Sequence, residues 1–116
     1  MNNILTFAML QAVAAANPEG FTVNANNFEP ITTGYAVAVK ETQNSFGKDG
    51  AARVIQFQSE NTDKVNAFGG WRDSETGLYY YDATIIVNSL EEATRLGRAN
   101  GQIAVFHLDT MEEIRL

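Results

Sequence analysis

The sequence predicts an α+β domain in the order αββαββαββ, with helices packed on one face of a mainly antiparallel sheet. Three observations lead there. Stretches of period-two apolar alternation are interleaved with stretches at helical spacing. Turn residues separate them at Asn17-Pro18-Glu19-Gly20, Asp73-Ser74-Glu75-Thr76-Gly77 and Asn100-Gly101. Residues 69–116 read almost without interruption as strand, turn, strand, capped helix, strand, turn, strand. At 116 residues the chain is sized for one domain with one core, residues 1–116. Within it, residues 1–17 form an N-terminal helix and residues 20–116 a sheet-helix body.

The first helix is expected over Asn3–Ala16, because Ala, Leu and Met dominate it and favour helix. Pro18 cannot continue it and Gly20 suits the exit turn. The apolar run with Ala12-Val13-Ala14 has the look of a secretory signal, but no Lys or Arg precedes it and Thr6 and Gln11 interrupt it. It is also too short to cross a bilayer. The expectation is a buried or partner-covered helix in a cytoplasmic protein that does not enter membranes.

A short strand over residues 21–24 and a polar connection to Pro30 follow, then a strand over residues 35–41. In that strand Tyr35, Val37 and Val39 alternate with Ala36, Ala38 and Lys40, giving one bulky face and one slighter face. Residues 42–50 are irregular. Ala51, Val54, Ile55 and Gln58 fall at helical spacing with Asp49 placed to cap the start, while residues 53–58 also alternate as a strand would; helix is the favoured reading. Residues 65–72 and 78 onward form a hairpin around the Gly77 turn. Ser89 is a helix N-cap with Glu91 and Glu92 in the first turn, where the dipole favours acids. Leu90, Ala93, Leu96 and Gly97 make the inward stripe, and Asn100-Gly101 stops the helix. Residues 103–108, apolar on both faces, form a central strand, and residues 113–116 a last short one.

Composition narrows the function. Hydrophobic residues at 45% and aromatics at 10% belong to an ordinary soluble globule, not a disordered chain. The chain has no cysteine, which removes disulfides, thiolate metal sites and cysteine nucleophiles and agrees with a reducing cytoplasm. Four acids and three bases lie in residues 1–58, and ten acids and five bases in residues 59–116, so the net charge of −6 is concentrated in the second half. An acidic surface repels phosphate backbones, so direct nucleic-acid binding is not expected. Imitation of DNA calls for carboxylate runs with few bases between them. Here Arg72, Arg95, Arg98 and Arg115 interrupt the acids, and a charge that simply keeps the protein soluble is the simpler account.

No catalytic motif is present. His107 is the sole histidine and sits among apolar neighbours, as a structural histidine does. Asp73, Glu75 and Asp82 are the candidates for a hard cation, but they lack the ligand spacing of a calcium loop and read as a solvated turn. Gly47-Lys48 lacks the upstream glycine and following Ser/Thr of a phosphate loop. No metal or cofactor is expected. The hairpin aromatics Trp71, Tyr79, Tyr80 and Tyr81 combine large area with polar handles, which suits either an interface or a hairpin core. If Trp71 and Tyr80 oppose each other, they share one face and Tyr79 and Tyr81 the other. The amide-rich loop with Lys40, Gln43 and Asn44 either reads a partner or satisfies its own backbone.

In the stretches GYAVAVKETQNSFG, GGWRDSETGLYYYDAT and SLEEATRLGRANGQIAVFHLDTMEEIRL the chain resembles a group of small proteins from phages and conjugative elements of gut bacteria, over residues 20–116. The resemblance implies a mobile-element accessory protein with no assigned activity, so no catalytic residue carries over. The expected function is a non-enzymatic interaction module for a host or element-encoded protein, using Trp71, Tyr79, Tyr80, Tyr81, Lys40, Gln43 and Asn44. An acidic inhibitor of a host DNA-handling enzyme, acting as a DNA mimic, is the alternative. An enzyme would need a deep pocket with convergent polar groups near His107 or Asp82. A homodimer through the N-terminal helix or a sheet edge is a further expectation.

Overall fold

All strand pairs of the sheet are antiparallel, and the strand order departs from the chain order in one decisive way. A computed structural model describes residues 3–116. Its elements are α1 (Asn3–Ala16), β1 (Phe21–Asn24), β2 (Tyr35–Ala38), a 3-10 turn (Lys40–Thr42), β3 (Ser45–Phe46), α2 (Gly47–Glu60), β4 (Ala67–Arg72), β5 (Tyr79–Val87), α3 (Leu90–Ala99), β6 (Ala104–His107) and β7 (Glu112–Arg115). The sheet runs β1-β4-β5-β2-β6-β7, with β3 also paired to β5. The α+β class and the three helices are as the sequence predicts; β3 is an added two-residue strand.

The long strand β5 makes this possible. Its C-terminal half pairs with β2, from Ala38↔Thr84 to Tyr35↔Val87, and its start pairs with β3 at Phe46↔Tyr80. Between them the chain leaves the ladder, so the expected strand over residues 35–41 ends at Ala38. Thr42 Oγ1 accepts from the Ala83 N–H at 3.1 Å in place of a strand carbonyl. Buried backbone donors need such substitutes.

Helix α2 wins over the competing strand because Gly50, Ala51, Val54 and Ile55 bury one helical face. It starts earlier than expected, after Phe46, so Asp49 lies inside the first turn and does not cap. Gly50 sits where a Cβ would collide with the Ser45 backbone, which lets the helix close onto β3. Helix α3 is capped as expected: the Glu92 N–H donates to Ser89 Oγ at 3.1 Å. Ser89→Ala should lower stability by about 1 kcal/mol, seen as a fall of about 4 °C in Tm. Ala93 and Gly97 face the sheet, but Leu90 is 45% exposed, because it begins the helix beyond the sheet contact. A Cβ at Gly97 would come within 2.6 Å of Leu116 Cδ1 and 2.9 Å of Val105 Cγ1, so this glycine seats the helix on β6 and the chain end.

Register divides the sheet into two unlike faces. Phe68, Tyr81, Ala83, Ile85, Val37, Val23 and Val105 point to the helices and pack with Leu10, Ala14, Ala51, Val54, Ile55 and Ala93 in one core. The connection after β1, polar by sequence, also contributes: Phe28, at φ +60°, is buried with its ring 5.7 Å from that of Phe68. The other face carries Thr22, Ala36, Ala38, Gly69, Trp71, Tyr80, Asp82, Thr84 and Phe106, alternating with those core residues. Strands β1 and β7 are the edges. No described helix is long and apolar enough to cross a membrane.

Candidate functional site on the open sheet face

The slighter face of β2, read from the sequence as the weaker side of its strand, joins Gly69 of β4 as the floor of a trough. Ala36, Ala38 and Gly69 keep the floor low, and Thr22, Asp82 and Thr84 supply its polar groups. The walls are the turn after α1 with Glu19 and Gly20, the segment Pro30, Ile31 and Thr32, and the β6–β7 hairpin with Met111 and Glu113. Pro30 is held to the sheet by a bridge to Val23. The trough measures about 860 Å³, and no residue of the three described helices lines it. That volume falls within the range of small-ligand and peptide clefts.

Asp82 lies on this floor opposite Gly69, half-buried between neighbours that offer it nothing. Among the described residues its carboxylate accepts no hydrogen bond and forms no ion pair. Burial pushes its pKa up to about 6, since desolvation disfavours the charged form. A Cβ at Gly69 would stand 3.2 Å from Thr84 Oγ1 and 3.9 Å from Asp82 Oδ2, so glycine leaves the approach to both groups clear.

Beside the floor runs an aromatic strip. Trp71 and Tyr80 oppose each other across β4 and β5, stacked with centroids 4.8 Å apart at 14°. Phe46 extends the strip, edge-on to Tyr80 at 5.7 Å. Trp71 is 47% and Phe46 46% exposed, a large apolar area to leave in water. Tyr79 and Tyr81 lie on the opposite face. There the Tyr79 hydroxyl donates to Asn17 O at 2.6 Å, and Gln11 Nε2 donates to the Tyr81 hydroxyl at 3.1 Å, tying α1 and its exit turn to the sheet. Burial first and the neighbouring Tyr81 second push the Tyr79 phenol up to about 12, with Arg72 opposing. Burial also raises Tyr81, with the Gln11 hydrogen bond acting the other way.

Lys40, Gln43 and Asn44 are exposed on the loop that leads into Phe46. The loop does not use its amides to satisfy its own backbone. Arg53 does this instead, donating to Glu41 O at 2.6 Å and Gln43 O at 3.3 Å. Asn44 takes φ +61°, a left-handed conformation that asparagine adopts more readily than most residues. The Gln43 and Asn44 amides make no hydrogen bond to other described residues.

His107 is on the helix face, stacked on Tyr35 at 4.3 Å and 8°. Its ring nitrogens meet Thr110 Oγ1 at 3.2 Å and Asp109 Oδ1 at 3.3 Å. Asp73 is engaged by its own turn, accepting from the Glu75 N–H at 3.2 Å and the Thr76 hydroxyl at 2.9 Å, beyond the end of the β4–β5 ladder in which Asp82 pairs with Gly69. Among the described residues no three acids or histidines gather into a cation site.

Sequence reasoning overlooked Phe46, and it read Asp82 with the solvated turn, whereas Asp82 lies inside β5 on the trough floor. Phe46 is an apolar residue at the end of a polar loop, and Asp82 is a carboxylate in mid-strand, where aspartate is disfavoured; both are legible signals. Searches of protein-family models, curated proteins and solved structures returned no match to this chain.

Proposed function

We propose that this is a non-enzymatic protein-binding module of a mobile element, and that the open sheet face is its binding surface. The observation that carries the proposal is the Phe46–Tyr80–Trp71 strip lying exposed beside an uncovered trough. Exposed aromatics that are held rigid by stacking provide contact area with little entropy left to lose, which is the character of interface hot spots. The exposed Lys40, Gln43 and Asn44 flank the strip through β3 and offer polar rim contacts. Catalysis is the weaker reading, because Asp82 has no imidazole near it: the one histidine lies on the other face. DNA mimicry is also weaker. The acids of this face, Glu19, Asp82 and Glu113, line a concavity beside rings, whereas a phosphate-like display needs carboxylates on a protruding surface.

The test is capture of a cross-linked partner, identified by mass spectrometry, with wild type and with Trp71→Ala/Tyr80→Ala. The double variant should stay folded, losing roughly 1 kcal/mol of cross-strand stacking. Its capture should fall at least tenfold, the effect of losing about 1.4 kcal/mol or more of binding energy. Undiminished capture by a folded variant would sink the proposal.

A further inference from the structure

Taking the open face as the binding surface, we infer that its occupant is an extended peptide segment of a protein partner that seats an arginine or lysine on Asp82, with the side-chain stem against Trp71. Three features of the trough point to a cation. Its ionisable lining residues are Glu19, Asp82 and Glu113, with no Lys, Arg or His among them. Asp82 has both carboxylate oxygens unclaimed by the described residues. Gly69 leaves the space beside those oxygens vacant of side chain.

The aromatic neighbour gives the same answer. Trp71 is two residues along β4 from Gly69 and shares its face, and Tyr80 stands likewise beside Asp82. A carboxylate flanked by an indole suits a long aliphatic stem ending in a positive charge: the stem packs on the ring and the charge meets the carboxylate. Charge-assisted hydrogen bonds are strongest where water is excluded, and a half-buried strand floor provides that setting. An isolated metal ion is a poor fit, because among the described residues no group of three acids or histidines gathers around Asp82.

Size separates a peptide from a small amine. A trough of about 860 Å³, reaching from Glu19 beyond β1 to Glu113 on β7, is far larger than one ammonium or guanidinium group requires. Ile31 and Met111 on its walls present apolar surface for neighbouring side chains, and Thr22, Thr32 and Thr84 offer hydroxyls to a peptide backbone. An extended segment uses all three kinds of surface together.

The experiment is retention of a hexapeptide library on the immobilised full chain. One position is fixed in turn as arginine, lysine, norleucine, citrulline or glutamate, and the other positions are randomised. Wild type should retain arginine or lysine members at least tenfold over norleucine, citrulline and glutamate. Asp82→Asn should abolish that preference while still folding, and Glu92→Gln, a change on the outer side of α3, should leave it intact. Retention without a basic preference, an undiminished preference in Asp82→Asn, or no retention of any member would each overturn the inference. The surface proposal fails separately. If partner capture depends on Trp71 and Tyr80 but not on Asp82, the face stands and the cation seat falls; if it depends on none of the three, both fall.

Discussion

Asp82→Asn is expected to stabilise the protein at pH 7 by about 1–2 kcal/mol. The carboxyl is raised from 3.8 to about 6 in the folded chain, with burial as the cause. A raised folded pKa means that the native state holds the proton more tightly than the unfolded state. The stability contributed by protonated Asp82 is therefore complete below pH 4 and is lost as pH rises through 6. Two pKa units correspond to almost 3 kcal/mol as an upper bound, and water at the mouth of the trough and the asparagine's own desolvation reduce this. Urea unfolding at pH 4 and pH 7 checks it: the variant's advantage should be small at pH 4 and full at pH 7. An equal advantage at both, or a loss at pH 7, contradicts an unpaired half-buried carboxylate. A trade of stability for binding is a common pattern at functional sites, and the proposed cation seat at Asp82 would be one case of it.

The second large effect lies three residues away from Trp71 on the same strand. Phe68 is fully buried against Phe28 and the helix core. Phe68→Ala should cost about 3–5 kcal/mol, the usual price of emptying an aromatic site in a packed core. Trp71→Ala, on the opposite face, should cost no more than about 1 kcal/mol, the scale of one cross-strand aromatic pair. Denaturant midpoints of the two variants measure the asymmetry of the sheet directly. Equal losses would mean that Trp71 is core.

Much of the fold was readable in the sequence because its rules are local. Ser89, Gly77, Gly101 and the Val37–Val39 alternation each announce their element without reference to distant parts of the chain. The start of α2 was misread because Gly47, at φ +66°, turns the chain directly from β3 into helix, ahead of the Asp49 cap that spacing suggests. Leu90 was misplaced because burial depends on where the helix overhangs the sheet, which its periodicity does not encode.

The site was only half legible. Alternation separates Tyr80 from Tyr79 and Tyr81, and the structure supplies the register the two-faced reading was conditional on, with Trp71 opposite Tyr80. The trough does not follow from alternation, because it depends on β2 inserting between β5 and β6 and on the Pro30 segment folding beside β1. Only that non-local order brings Ala36 and Ala38 next to Asp82 and Thr84, and turns a run of weak strand residues into a floor. Phe46 joined the strip for the same reason, through a two-residue pairing with β5 that sets it against Tyr80, a long-range contact that no local rule reports.

Partners are proposed to meet the open face of the sheet and not the helices. Site-specific photo-crosslinking tests this most directly, with p-benzoylphenylalanine incorporated in place of Phe46 on the open face or Arg95 on the outer side of α3. Crosslinks to the captured partner are expected from position 46 and not from position 95. Crosslinking from position 95 alone, or from neither position while capture persists, would contradict the account.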